Sequence, residues 1–172
     1  MIFSLETERC IMRPFTIEDA PDLFEMNSDP EVHKYLGNNP LKKMEQAEEV
    51  IKSILDQYGK FKLGRLAVIR KSDNAFLGWS GMKYEEHVRD YPYYDIGYRF
   101  NQSAWGQGYA SETAQAAIDH AINYLGITKI CGGAHVDNIG SNRILSKIGL
   151  SLTEQFMFDG EMHNWYEKAA KS

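Results

Sequence analysis

The spacing of apolar and polar positions changes several times along the chain, and each change marks a predicted element. From Leu5 to Phe15, apolar and charged residues mix around Ile11-Met12 and stop at Arg13-Pro14, which predicts a first strand. Thr16 is placed as an N-cap, with Glu18 in the first turn and Asp19 three residues on. Ala20, Leu23, Phe24 and Asn27 then follow at helical spacing. Ser28-Asp29-Pro30 interrupts that helix and predicts a second short one, ending near Gly37-Asn38-Asn39-Pro40. From Leu41 to Tyr58, the positions Leu41, Met44, Ala47, Val50, Ile51, Ile54 and Leu55 trace one stripe of an amphipathic helix.

Three strands are expected next, at Arg65 to Arg70, Ala75 to Tyr84 and Tyr93 to Phe100. Turn chemistry at Lys71-Ser72-Asp73-Asn74 joins the first two, and a polar loop from Glu85 to Asp90 precedes the third. A helix follows from Ala110 to Leu125, closed by Gly126. Lys129 to Val136 reads as a strand, Ser141 to Ile148 as a short helix, and Leu150 to Phe158 as another strand. Asp159-Gly160 predicts a tight turn into a last strand, His163 to Lys168. This order predicts a mixed α/β layer of the α+β type, not a regularly alternating doubly wound sheet. No repeat or low-complexity stretch interrupts it, so one domain over residues 1–172 is expected.

Composition narrows the function. The formal net charge is −5 and no basic stripe appears, which argues against a nucleic-acid partner. Cys10 and Cys131 are far apart and form no CxxC pair, so free thiols are expected and no metal site. With no signal-like start and no long apolar run, no membrane association is expected, and the cytoplasm is the expected address. Tyr91, Tyr93 and Tyr94 are expected at the surface, where they would suit a homodimer contact or a substrate surface.

The candidate chemistry begins at Trp105-Gly106-Gln107-Gly108-Tyr109-Ala110, between a predicted strand and a long helix. Glycines here let the backbone take positive φ and approach a ligand closely. The first helical turn offers unpaired amides and the positive end of the helix dipole, and Ser111 adds a hydroxyl. Together these make a pyrophosphate cradle, although a plain strand-to-helix turn has the same composition. Neither the dinucleotide pattern GxGxxG nor a phosphate-loop Gly-Lys-Ser/Thr is present.

A second segment, Val136-Asp137-Asn138-Ile139-Gly140-Ser141 followed by Ile144-Leu145-Ser146-Lys147-Ile148-Gly149-Leu150, joins a strand, a polar turn and a short helix. Read with the glycine loop, the chain resembles the GNAT superfamily of acetyltransferases. Glu6 to Phe15, Ser28-Asp29-Pro30-Glu31-Val32 and Gly106 to Glu112 are similar to its ribosomal-protein N-terminal acetyltransferase branch. The resemblance implies a twisted, mostly antiparallel sheet that splays between its fourth and fifth strands, here Tyr93–Phe100 and Lys129–Val136. It implies acetyl-CoA as cosubstrate, its pantetheine arm in the splay and its pyrophosphate on the amides of Gln107, Gly108, Tyr109, Ala110 and Ser111. The acceptor it implies is a primary amine, either a protein N-terminus or a small amine. A silent acyl-CoA-binding module stays open as an alternative. Many members have Arg or Gln where this chain has Trp105, which could pack beside the cofactor or plug the core.

The implied reaction is direct attack by the amine on the thioester, which needs a base, an oxyanion donor and an acid for the leaving thiolate. The expected oxyanion donor is a backbone amide near Ile96-Gly97-Tyr98, although Gly97 could equally mark a bulge. Many relatives place a Tyr acid seven residues after the motif Asn, but counting from Asn138 reaches Leu145, which cannot donate a proton. Ser141 is the nearest substitute, with helix capping as its other reading. Asn138 is expected to bond the pantetheine amides or to form a turn. Asp95 and Glu161 are the favoured bases, ahead of Glu85, Glu86, His87 and His163, while Glu112 is expected only to complement a helix N-terminus.

Overall fold

The computed structural model describes residues 4–170. The first predicted strand is a hairpin of β1 (Leu5–Glu6) and β2 (Cys10–Pro14). Thr7 makes the reversal, its amide donating to the Cys10 carbonyl (2.9 Å) and its hydroxyl accepting the Cys10 amide (3.1 Å). A short 3-10 turn (Ile17–Asp19) leads into α1 (Ala20–Asn27). Asp19 does the capping expected of this sequence: its carboxylate accepts the Thr16 amide at 2.9 Å while Arg13 holds both oxygens.

The second short helix does not form. Residues 29–38 are a succession of turns, because Asp29 Oδ1 takes the Glu31 amide (2.9 Å) and offers the backbone a local alternative to helix. The amphipathic helix α2 (Met44–Phe61) starts and stops three residues later than its stripe predicts. Its start is displaced because the Leu41 amide is bound by the Asn27 carbonyl at the end of α1 (2.9 Å).

The remaining elements are β3 (Arg65–Arg70), β4 (Phe76–Glu85), β5 (Tyr93–Phe100), α3 (Tyr109–Asn123), β6 (Lys129–His135), α4 (Ile139–Lys147), β7 (Ser151–Phe158) and β8 (Glu161–Ala169). All eight strands form one sheet in the order β1-β2-β3-β4-β5-β6-β8-β7. Every neighbouring pair is antiparallel except β5–β6. Asp159 and Gly160 both take positive φ (52° and 76°), the backbone of a two-residue hairpin turn.

The sheet buries a core on each face. On one, Leu66, Val68, Met82, Ile96 and Phe100 meet Ala114, Ala117, Ile118 and Ala121 of α3. On the other, Ala67 and Trp79 meet Phe15, Leu23 and Met26 near α1 and Ile51 and Ile54 of α2. Tyr93, expected at the surface, is buried against Trp165 with ring centroids 4.7 Å apart, while Tyr91 remains exposed. Both cysteines are free and buried.

Candidate active site

Strands β5 and β6 share a single register pair, Asp95 with Cys131. Beyond it, residues 96–100 and 132–135 are unpaired with each other, and the sheet opens into a wedge between the two faces. Strand alternation puts Asp95, Gly97 and Arg99 of β5 on the α1/α2 face, with Cys131, Gly133 and His135 of β6. Ile96 and Tyr98 turn to the α3 face.

The β4–β5 register runs unbroken through Gly81 and Gly97, so Gly97 marks no bulge. It is glycine because the Arg65 side chain crosses it: a Cβ there would lie 2.8 Å from Nη2 and 2.9 Å from Nη1. Arg65 reaches over to pair with Asp95 Oδ2 (2.6 Å) and to donate to the Gly81 carbonyl (2.5 Å). Burial pushes the Asp95 carboxyl above the ordinary carboxylate range, with Arg65 pulling the other way.

The glycine loop has the backbone its composition predicts. Gly106 (φ +72°) and Gly108 (φ +85°) are left-handed, and Gly108 is the N-cap of α3. The first bond from within the helix is Glu112 N–H to the Gly108 carbonyl (3.1 Å), which leaves the amides ahead of it for an outside acceptor. A Cβ at Gly106 would meet nothing within 4 Å and one at Gly108 only Arg9 at 3.4 Å, so the space in front of the loop is open. The chain's own residues thus fit a bound pyrophosphate. Trp105 is no core plug: it is 45% exposed and tied by its indole N–H to the Phe100 carbonyl (2.9 Å).

Glu112 does more than complement the helix end. Its carboxylate accepts the Thr7 hydroxyl (2.6 Å), the Arg9 amide (3.1 Å) and Arg9 Nε (2.8 Å). It therefore fastens the β1–β2 hairpin to the helix that carries the cradle.

Across the wedge, Asn138 is the N-cap of α4, its Oδ1 accepting the Ser141 amide at 3.1 Å. Ser141 therefore lies inside the helix and is not its cap. The Tyr98 hydroxyl stands 3.0 Å from the Ser141 carbonyl and 3.1 Å from its Oγ, so the two hydroxyls form a pair spanning the gap from β5 to α4. Burial raises the Tyr98 pKa well above the phenol value. Leu145, at the vacant acid position, is buried against Ile96 and Gly132.

Of the proposed bases, Glu161 is half exposed and lies 3.2 Å from His135 Nε2. Nδ1 of that ring accepts the Asp137 amide (3.0 Å), and the ring itself packs beside Tyr35 and His163. Glu85 is buried, paired to Lys83 at 2.7 Å, and His87 and Glu86 are exposed on the loop beyond it. Sequence reasoning missed His135 and Arg65. Only His135 left a signal, since it falls two residues after Gly133 on a strand bordering the expected splay.

The acetyltransferase (GNAT) domain family matches residues 9–151, and the chain belongs to that family. It is similar to the uncharacterised N-acetyltransferase p20 of Bacillus licheniformis, at 31% identity over 96% of this chain and 88% of that one. Its fold is similar to a GNAT-family acetyltransferase from Bacillus anthracis, with a TM-score of 0.80, 22% identity, and 97% of this chain and 98% of that chain covered. It is also similar to RimL, a ribosomal alpha-N-protein acetyltransferase in complex with coenzyme A, with a TM-score of 0.78, 16% identity, and 97% and 98% covered. The enzyme class is therefore acyltransferase, and acetyl-CoA use follows from the family.

Proposed function

We propose that the chain, acting as one domain over residues 1–172, acetylates a primary amine by direct attack on acetyl-CoA within a ternary complex. A protein or peptide N-terminus is included among the acceptors, by resemblance to the ribosomal-protein branch. The observation that carries this reading is the wedge between β5 and β6 opening beside the cradle at Gly108. Acetyl-CoA supplies a thioester activated for attack by an amine.

The amides of Gln107, Gly108, Tyr109, Ala110 and Ser111 hold the pyrophosphate, and the backbone of Ile96, Gly97 and Tyr98 with Asn138 and Ser141 lines the pantetheine path. A β5 amide turned into the gap stabilises the oxyanion. The amine enters from the α1/α2 face, where Asp95 and Glu161, the latter held at His135 Nε2, are placed to take its proton. As the C–S bond breaks, the Ser141–Tyr98 hydroxyl pair protonates the departing sulfur, filling the role that Leu145 cannot.

Thiol release with acetyl-CoA against a panel of primary amines tests the reading. Turnover with stoichiometric acetylated amine is expected. Tight coenzyme A binding without turnover of any amine would make the chain a binding module instead.

A further inference from the structure

Arg9, Arg13, Arg65, Arg70 and Arg89 each hold a carboxylate. Arg99, half-buried on the amine-facing side of β5, does not. Among the described residues its one hydrogen bond runs from Nη1 to the neutral side chain of Asn27 (3.0 Å). Its fixed fork of five N–H donors is thus largely unused. The charged group it feels most is a second cation, Arg65, and both stack on Trp79 at 4.8 and 5.3 Å. Burial, with that repulsion, lowers the Arg99 pKa to about 10.

Close by, His33 on the turn segment is 7% exposed and neither ring nitrogen has a hydrogen-bond partner. Burial first, then Arg99, depresses its pKa, which keeps the ring neutral and unable to compete for an anion. Two nearby cations on this face are paired off, Arg65 with Asp95 and Lys83 with Glu85. Arg99 has no carboxylate partner among the described residues and stands two residues along the strand from Gly97, or roughly 6.6 Å.

We propose that Arg99, with His33 beside it, binds a carboxylate of the acceptor, so the substrate is an amino-carboxylate: an amino acid, or a peptide end with an acidic group near its amine. This rests on the acetyltransferase reading and specifies its acceptor, excluding polyamines despite the chain's overall −5 charge. The competing role for Arg99 is structural, as a clasp on Asn27 at the carbonyl end of α1, where a helix dipole also favours a cation.

Initial rates at saturating acetyl-CoA, on glycine against glycinamide and on Ala-Glu amide against Ala-Gln amide, separate an α-carboxylate from a side-chain carboxylate. In at least one pair the acid should be favoured by about ten- to a hundredfold in kcat/KM. Arg99→Gln should erase that preference through the acceptor KM, leaving the KM for acetyl-CoA unchanged, and Arg99→Lys should retain part of it. Equal rates on acid and amide in both pairs overturn the proposal with no variant needed. So does an Arg99→Gln protein that loses acid and amide equally, the mark of a clasp. Turnover of spermidine with none of these four amines overturns the proposal alone. Turnover of no amine whatever refutes the acetyltransferase reading beneath it.

Discussion

Gly108 is where the cofactor reading can be tested most sharply. Its φ of +85° lies in the left-handed region, so Gly108→Ala imposes backbone strain of about 1–2 kcal/mol whether or not a ligand is present. For a chain of 172 residues that corresponds to a loss of about 2–8 °C in Tm. Gly126 supplies the matched control: its φ is +69°, a Cβ there meets nothing within 4 Å, and it follows the opposite end of α3. Helix α3 has 15 residues, which separates the two glycines by about 22 Å. Gly126→Ala should therefore show a similar Tm loss and bind coenzyme A like the wild type. At Gly108 the added methyl stands where the backbone must meet the pyrophosphate. Losing one charge-assisted amide bond, about 1.5–3 kcal/mol, weakens binding by about ten- to a hundredfold. Calorimetric titration of coenzyme A into both folded variants decides the matter. Equal, wild-type affinity in the two would refute the cradle.

Further expectations concern the wedge and the hairpin clamp. Ser141→Ala should lower kcat by about ten- to a thousandfold with little change in Tm, because Asn138 and not Ser141 caps α4; unchanged turnover would remove Ser141 from the chemistry. Asn138→Ala should instead cost about 1 kcal/mol of stability, read from denaturant unfolding, and an unaltered midpoint would contradict the cap. Burial opposes the charge on Glu112, yet hydrogen bonds from Thr7 and Arg9 hold its pKa below the ordinary glutamate value. Its contribution is therefore full above that value and lost as pH falls through the lower folded-state pKa. The stability gap between wild type and Glu112→Gln should thus shrink below about pH 4.5, and a gap independent of pH would refute the clamp.

Features set by local pattern were legible in the chain. The stripe from Met44 to Leu55, the Asp159-Gly160 reversal and the left-handed glycines before α3 each depend on neighbours a few residues away. The turns at 29–38 were misread because a single Asp29 side-chain bond outweighed an otherwise helical spacing. The acceptor face was largely illegible for a different reason. Arg65 meets Asp95, and His135 meets Glu161, only through the pairing of strands distant in sequence. Register of that kind is fixed by the assembled sheet. Arg99 is the clearest case, since its significance lies in the carboxylate it lacks.

The last strand in sequence is not the last in the sheet. With β8 lying between β6 and β7, neither of those strands touches the other, and Trp165 of β8 is 1% exposed. During synthesis, β7 and the outer edge of β6 leave the ribosome unpaired and wait for residues 161–169 before finding their antiparallel partner. The far wall of the wedge thus assembles only once β8 has emerged, and a nascent chain halted before β8 carries the Gly108 loop but no completed acceptor face.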